Sequence, residues 1–244
     1  MEEKTSCYSR PRSGAIILGI SFIIGCALVS QTFYKVKQLD NTLSVTGSTK
    51  QKVVSDAVKW VSGFSRTILE SDLKNGYVQM KEDEEVVSKF LKEKGFTEQN
   101  VVISPVFMDQ VYKYDASAPK EYTLRQTVEL KSSEVQKVTE VSKNIQEVIN
   151  QGILFSTQYV EYVYTNLPEL RINLLSEAIK DAKARAEKIA ESSGKKVDMI
   201  KSASIGVVQV LPVNSVEVSD YGAYDTSSIE KEVMVTVKAS FNMR

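Results

Sequence analysis

The first forty residues contain a segment long and apolar enough to cross a membrane. Residues 14–34, GAIILGISFIIGCALVSQTFY, carry no charged side chain over 21 positions. As an α-helix rising about 1.5 Å per residue, this segment spans about 31 Å, which matches the hydrocarbon core of a bilayer. The sequence therefore predicts one N-terminal transmembrane helix ahead of a much longer second part.

The charges around this segment favour one orientation in the membrane. Lys4, Arg10 and Arg12 precede the segment, whereas Lys35 and Lys37 follow it. Three bases against two give a slight bias towards an N-terminus inside the cell. We therefore expect a short cytoplasmic tail (1–13), a single-pass signal anchor (14–34) and a juxtamembrane linker (35–41). The C-terminal domain is then expected in the periplasm or outside the cell.

Three other interpretations of the segment stay open. Gly25-Cys26-Ala27 is small enough for signal-peptidase cleavage, and residues 23–26 (IIGC) resemble a lipobox that would make Cys26 a lipid-bearing N-terminus. The third interpretation is a helix buried in the core of the folded domain. The apolar run continues through residues 27–29 instead of turning polar, so we favour an uncleaved anchor. Whether the segment is cleaved or lipidated at Cys26 is not decided by the sequence.

The composition excludes several kinds of chemistry. The chain has no histidine, and its two cysteines are Cys7 and Cys26. The region after residue 40 therefore lacks Ser-His-Asp and Cys-His nucleophiles, His- or Cys-ligated zinc and internal disulfides. With 31 basic and 31 acidic residues, the chain gives no reason to expect a nucleic-acid partner. We expect no enzymatic activity, no catalytic or metal-binding residues and no cofactor.

The hydrophobic pattern of the second part alternates between strand and helix periods. Expected strands cover residues 43–48, 54–68, 101–114, 122–130, 153–165, 200–210 and 232–241. Expected helices cover residues 72–94, a segment from Ser132 or Ser133 to Gly152, and a segment introduced by Pro168 that ends at Gly194. Residues 115–120 read as a turn and 212–230 as a long exposed loop. This order predicts an α+β fold, with a largely antiparallel sheet covered by amphipathic helices.

Residues 176–197, SEAIKDAKARAEKIAESSGKKV, predict a helix that covers the sheet. On a helical wheel one side holds Leu175, Ala178, Ile179, Ala182, Ala186, Ile189, Ala190 and Ser193. The opposite side is charged, with i,i+4 pairs such as Asp181–Arg185 and Lys183–Glu187. Gly194 is the expected left-handed C-terminal residue. Lys195 and Lys196 complement the negative end of the helix dipole, with contact to an anionic surface as the alternative.

These residues resemble the SIMPL-domain family. The resemblance rests on SVTGS (44–48), on the alternating strand after it, and on the spacing of Ala182, Arg185, Ala186, Ala190 and Gly194. It covers residues 42–244, although Ser48 stands where the family often has a second glycine. It implies an α+β domain exported to or anchored in bacterial envelopes, self-assembly in some members and a link to stress tolerance. No enzymatic activity is established for the family, so the resemblance implies no catalytic residue.

Two further groups of residues are candidate sites. The acidic run KEDEE (81–85) offers carboxylates to a divalent cation, but consecutive helical positions diverge, so a solvated helix face is the preferred interpretation. Tyrosines recur at Tyr112, Tyr114, Tyr159, Tyr162 and Tyr164, either as ordinary cross-strand packing or as a contact surface. Tyr221 and Tyr224 fall in the expected loop, where they either contact a partner or belong to a disordered segment without a role.

We therefore expect a non-enzymatic, membrane-tethered envelope protein that acts through protein contacts. A homo-oligomer of undetermined size is the expected assembly, and a role in stress is implied by the resemblance. The alternative is a module that binds a small molecule or lipid in a cleft between the helices and the sheet.

Overall fold

The computed structural model describes residues 12–38, 41–115, 117–215, 219 and 221–244. The expected tail therefore lies outside the described residues, apart from residues 12 and 13. The helices are α1 (Arg12–Gln38), α2 (Leu73–Glu93), α3 (Val135–Lys143), α4 (Gln146–Ile149) and α5 (Leu167–Ser192), with a 3₁₀ turn at Glu70–Asp72. The strands are β1 (Thr42–Val54), β2 (Ala57–Leu69), β3 (Val101–Ile103), β4 (Phe107–Val111), β5 (Glu121–Ser132), β6 (Leu154–Val163), β7 (Val197–Ile205), β8 (Gln209–Pro212) and β9 (Glu230–Met243).

The strands form two sheets. One sheet has the order β1-β9-β7, with β8 also pairing with β9; the other has the order β3-β5-β2-β6, with β4 also pairing with β5. Neighbouring strands run antiparallel. The α+β class and the antiparallel sheets expected from the sequence are confirmed.

Helix α1 carries the predicted membrane segment. Residues Ile16–Lys37 form one helix that is long and apolar enough to cross a membrane, and it contains an 18-residue stretch with a mean hydropathy of 2.1, none of which is buried. The helix continues to Gln38, so the first residues of the expected linker are helical. Residues 39 and 40 lie outside the described part of the chain.

The chain divides into two compact units, each of which is discontinuous in sequence. Unit 1 contains residues 1–48, 178–206 and 237–244, and unit 2 contains residues 49–177 and 207–236. The boundary falls within β1, α5 and β9, so each of these elements contributes to both units.

The main core of unit 2 lies between the β2–β5 sheet and its helices. Trp60, Phe64, Met80, Leu124 and Val138 are almost completely buried there. The Trp60 ring meets Phe155 of β6 edge-on, with 6.1 Å between the ring centroids. Apolar residues at alternate positions of β2 thus meet apolar stripes of α2 and α3, as their periods require.

A second, smaller apolar cluster of unit 2 involves the first half of α5. Leu170 and Leu174 pack with Val53, Val210 and Val233, all of them buried. These two leucines begin a row that recurs every four residues along α5 and continues into unit 1 as Ala178, Ala182, Ala186 and Ala190, each at most 1% exposed. The buried face of α5 is therefore narrower than the wheel predicted.

Part of the predicted buried side of α5 is exposed in the structure. Ile179 and Ile189, placed inward by the sequence analysis, are 38% and 47% exposed, and Ser193 is exposed. Leu175 is half-buried. Because the sheet approaches the helix along the alanine row, residues on the flanks of that row stay in contact with solvent.

Several predicted boundaries also require correction. The expected strand 101–114 is divided into β3 and β4 by residues 104–106, which include Pro105, and the expected strand 200–210 is divided into β7 and β8 by residues 206–208. The expected helix up to Gly152 is divided into α3 and α4. Its N-cap is Glu134 rather than a serine, although the Ser132 hydroxyl accepts a hydrogen bond from the Glu134 N–H. Strand β1 continues well past Gly47.

The predicted helix ends at three glycines are confirmed. Gly95, Gly152 and Gly194 have φ values of 84°, 81° and 69°. This left-handed conformation is strained for residues with a Cβ atom, which explains why glycine follows the helices here.

Candidate interaction surface

Strand β7 forms an edge of its sheet and is exposed along its length. In unit 1 it pairs with β9, from Val197↔Met243 to Ile205↔Val237, and lies at the end of the strand order. Residues 198–205 are all exposed. The outer backbone N–H and C=O groups of such a strand can pair with a further strand.

Within the described part of unit 1, the apolar side of the sheet continues onto β7, where its side chains are exposed. Phe241 and Val237 of β9 are buried, and their partners in the register are Ile200 and Ile205. Yet Ile200 is 47% and Ile205 53% exposed. Side chains opposite each other on neighbouring strands share one face of the sheet, so the apolar face is covered at β9 and open at β7.

The opposite face of unit 1 carries a row of serines across three strands. The Ser240 hydroxyl of β9 lies 3.3 Å from the Ser44 hydroxyl of β1, to which it donates a hydrogen bond. On the other side, Ser240 is the register partner of Ser202 in β7. The row thus joins the two outer strands through the central one.

The second half of α5 lies very close to β1. A Cβ atom at Gly47 would stand 2.7 Å from the Cβ of Ala182 and would also contact the carbonyl oxygen of Ala178. Beside it, the Ser48 N–H donates a 2.8 Å hydrogen bond to the Asp181 carboxylate, which also binds Arg185 at 2.8 Å. The Ser48 N–H, followed by Arg185, lowers the pKa of Asp181. Asp181–Arg185 and Lys183–Glu187 (3.9 Å) confirm the predicted helix pairs.

Asn41, the residue before β1, lies beside the turn that follows α5. The Asn41 carbonyl accepts a 2.9 Å hydrogen bond from the Met243 N–H, and the Lys195 ammonium donates to the Asn41 side chain at 3.3 Å. Lys196 and Arg244 exchange backbone hydrogen bonds of 2.8 and 3.0 Å. Basic residues thus surround the end of unit 1 that follows α1.

The acidic run 81–85 is not uniformly solvated. Asp83 is buried and forms two hydrogen bonds with the Arg66 guanidinium, at 2.5 and 2.7 Å, while Glu84 accepts a 2.7 Å hydrogen bond from Gln126. Asp83 raises the pKa of Arg66. Within the described residues, no group of three or more His, Cys, Asp or Glu side chains is arranged to hold a metal ion. Two of the five residues therefore hold the helix to the sheet.

Unit 2 contains a buried ion pair that the sequence patterns did not predict. The Lys231 side chain is completely buried, and its ammonium donates 2.6 Å hydrogen bonds to the carbonyls of Asp225 and Ser228 and lies 3.4 Å from the Asp225 carboxylate. Burial lowers the pKa of Lys231. For Asp225, burial acts to raise the pKa, but hydrogen bonds from Ser227 and Ser228, with Lys231 nearby, lower it to about 2. These contacts hold the loop before β9 in place.

The tyrosines do not form one cluster. Tyr162 is buried, with its hydroxyl 3.0 Å from that of Thr139, and the Tyr224 hydroxyl accepts a 3.0 Å hydrogen bond from the Tyr164 N–H. The remaining members lie on the surface: Tyr159 is partly exposed beside Lys59, and Tyr112, Tyr114 and Tyr221 are almost fully exposed. Ordinary packing therefore accounts for Tyr162, whereas Tyr112, Tyr114 and Tyr221 remain available for contact with a partner.

Unit 2 also has an open cleft between α2 and β3. It has a volume of about 320 Å³ and an apolar floor that includes Leu91, Phe96 and Ile103. Glu84 and Ser88 line it as well, and Lys92 forms an ion pair with Glu98 at 3.1 Å beside it. A small ligand with an apolar body and one polar group matches these dimensions.

No curated protein matches the chain. The sequence profile of the SIMPL family, which is described as a protein of unknown function (DUF541), matches residues 43–241. That range begins at the start of β1 and ends within β9, and it includes all of unit 2 and the residues of unit 1 that lie between 43 and 241. The chain therefore belongs to the SIMPL family.

Proposed function

We propose that this protein is a non-enzymatic, membrane-anchored envelope protein that works by assembling with copies of itself through the edge of β7. The observation that carries the proposal is the apolar face that is buried at Val237 and Phe241 and open at Ile205 and Ile200. We take a second copy of the chain as the partner, because its sheet has the same apolar face and could continue that of the first copy.

The edge of β7 has little protection against such pairing. Soluble proteins commonly guard an edge with lysine, proline or a covering element. Asp198 and Lys201 are the charged residues of β7, which contains neither proline nor glycine, and Met199 adds a third exposed apolar side chain. A strand of this composition is stabilised when another strand and its apolar face cover it.

The membrane anchor favours β1 of the next copy as the pairing strand. Both β1 and β7 start beside the end of β9, because Asn41 and Val197 each meet Met243. Antiparallel pairing of β7 with β7 would place the starts of the two strands about 30 Å apart, at opposite ends. Parallel pairing of β7 with β1 keeps every anchor at the same end, and a head-to-tail contact of this kind closes into a ring when the rotation permits.

Edge variants test the assembly. We expect Ile200→Lys/Ile205→Lys to convert an oligomer of the full-length protein in detergent into a monomer, measured by light scattering after size exclusion. Both side chains are about half exposed, so the melting temperature should change little. Val102→Lys on β3, 64% exposed, is the matched control and should leave the oligomer intact. A monomeric wild type at high concentration contradicts the proposal.

Cysteine pairs identify the pairing strand. Ser44 and Ser202 flank Ser240 on opposite sides, so within one chain they lie two strand spacings apart, about 9.6 Å. That distance exceeds the reach of a disulfide. In a Cys7→Ala/Cys26→Ala background, Ser44→Cys is paired in turn with Ser202→Cys and with Ser204→Cys, whose side chains lie on the same face of the sheet as Ser44, and disulfides between copies should form. Crosslinking of Ser202→Cys alone would instead indicate β7–β7 pairing.

Placement outside the cytoplasm is part of the proposal. It is supported by the apolar helix α1 and by the bases that precede it. Protease added to cells whose outer layer has been opened should digest residues 42–244, and lysis should not be required. Protection of the domain until lysis contradicts the placement. The role in stress tolerance, which the resemblance implies, is tested by survival of a deletion strain complemented with wild type or with the β7 edge variant.

A non-enzymatic mode of action is supported by the chemistry of the buried charges. The charged groups of the Arg66–Asp83 and Lys231–Asp225 pairs form hydrogen bonds within the protein. A reacting group needs access to substrate, and these charged groups are directed to the protein itself.

The cleft between α2 and β3 supports a second candidate, binding of a small amphipathic molecule. Ser88→Trp would fill the cleft of about 320 Å³ from its rim. If the cleft is the working site, this variant loses function in the deletion strain while its oligomer is unchanged. If Ser88→Trp retains function, the cleft is not the working site.

A further inference from the structure

We propose that the basic end of unit 1, defined as Lys195, Lys196 and Arg244, docks on anionic lipid headgroups of the bilayer that holds α1. The proposal rests on the membrane anchor of the proposed function and adds a second contact with the same membrane. It assigns a partner to the two lysines that follow α5.

Chain length places this end at the membrane surface. Helix α1 ends at Gln38 and β1 begins at Thr42. The path from Gln38 to Asn41 covers three residue steps and spans at most about 11 Å. The headgroup layer on each side of a bilayer is about 5–8 Å thick. Asn41 therefore lies close to the outer edge of the headgroups.

Hydrogen bonds then fix which residues accompany Asn41. Lys195 binds its side chain at 3.3 Å and Met243 binds its carbonyl at 2.9 Å. Arg244 follows Met243 directly and exchanges two backbone hydrogen bonds with Lys196. The three bases thus belong to the part of unit 1 that the anchor holds against the membrane.

The charge at this end favours an anionic partner. Lys35 and Lys37 in the last turn of α1 add to the three bases, and Lys196 and Arg244 are exposed. Asp40 precedes Asn41 in the sequence, and the acidic residues beside these bases include Glu187, Glu191 and Asp198, of which Glu191 is held by Lys188 at 3.0 Å. Each base close to an anionic membrane strengthens the attraction about fivefold. Complementation of the helix dipole accounts for Lys195 and Lys196 but not for the arginine beside them.

Quenching by a labelled headgroup tests the docking. The full-length protein, with Cys7→Ala, Cys26→Ala and a fluorophore on Ser192→Cys, is placed in nanodiscs that contain a lipid spin-labelled at its headgroup. We expect stronger quenching in discs of phosphatidylcholine and phosphatidylglycerol than in discs of phosphatidylcholine alone. High salt should remove the difference, because it shortens the screening length to about 3 Å at 1 M. Equal quenching in both lipids overturns the docking.

Charge variants identify the residues. Lys195→Glu/Lys196→Glu should lower the docked-to-undocked ratio at least thirtyfold, which brings quenching to the level of neutral discs. Lys180→Glu/Lys183→Glu makes the same charge change at least nine residues, about 14 Å, before the end of α5, and should leave quenching unchanged. Unfolding curves confirm that both variants fold. Equal loss in both pairs, or none in the first, overturns the assignment.

Disc retention separates this proposal from the anchor. If the protein elutes with the discs at high salt but quenching does not depend on lipid charge, the anchor holds and the docking is wrong. If the protein dissociates from the discs, the proposed membrane anchor is wrong, and the docking proposal, which depends on it, is wrong as well.

Discussion

Gly47 of β1 and Ala182 of α5 approach so closely that a side chain at position 47 would collide with the helix. A Cβ there would stand 2.7 Å from the Cβ of Ala182. The contact requires a small residue on both sides: glycine on the strand and alanine on the helix. It explains why the buried row of α5 changes from leucine to alanine at Ala178, where the helix begins to cover this part of β1.

Adding one methyl group at this contact should destabilise the protein. We expect Gly47→Ala to lower the free energy of unfolding by about 1–3 kcal/mol, since the overpacked strand or helix must shift. For a chain of this size the melting temperature should fall by roughly 2–4 °C per kcal/mol. Thr46→Ala on the exposed neighbouring residue is the control. Equal thermal stability of Gly47→Ala and wild type would contradict the close approach.

The narrow buried row of α5 predicts opposite outcomes at neighbouring positions. Ala186→Leu inserts three carbon atoms where the side chain is completely buried, and should cost about 1–3 kcal/mol. Ile189→Gln, at a position 47% exposed, should stay within about 0.5 kcal/mol of wild type. Urea denaturation measures both. A larger loss for Ile189→Gln would mean that the isoleucine is covered, as the helical wheel predicted.

The buried Lys231 should be far more important to stability than an exposed lysine in an ion pair. Lys231→Met removes the donor to two carbonyls and leaves Asp225 without its base, which should cost about 3–5 kcal/mol. Combining it with Asp225→Asn should restore part of the loss, because the uncompensated charge disappears. Lys50→Met breaks the surface pair with Glu232 and should cost at most about 1 kcal/mol. Additive effects of the two substitutions in a double-mutant cycle would show that the pair is not coupled.

Asp225 should also give the protein a specific response to acid. Its pKa is about 2 in the folded chain against an ordinary value of 3.8. A carboxyl with a lowered folded pKa stabilises the fold above its unfolded pKa, and that contribution of about 2 kcal/mol is lost as the pH falls from about 4 to about 2. The stability of Asp225→Asn should therefore fall less steeply over this interval. Parallel curves for the two proteins would contradict the assignment.

Local periodicity explains how much of the fold is predictable from the sequence. Alternating residues such as Val233, Val235 and Val237 indicate a strand because one face is buried, and the structure agrees. Glycines at 95, 152 and 194 end helices for a local steric reason. The breaks at residues 104–106 and 206–208 were missed, because the apolar pattern continues across them while the strand pairing does not.

Contacts between distant positions explain what the sequence did not predict. Asp83 looks like one carboxylate of a solvated run, and its partner Arg66 lies on another element, 17 residues away. Lys231 lies in phase with the buried Val233, Val235 and Val237, but the expected strand began at residue 232, so its burial was not predicted. The carbonyls of residues 225 and 228 accept the hydrogen bonds of its buried ammonium. The edge of β7 was likewise invisible, since its apolar residues give the same pattern as those of a covered strand.

The brevity of the connection between α1 and β1 restricts how copies of this protein can meet. Under the anchoring and assembly proposed above, subunits tethered to one bilayer by so short a connection diffuse in two dimensions and present their domains at a common height. Such subunits can be related only by symmetry axes perpendicular to the membrane plane. They therefore cannot assemble into fibres that extend away from the membrane surface. Confinement also raises the local concentration of each edge, so even weak strand pairing can populate an assembly.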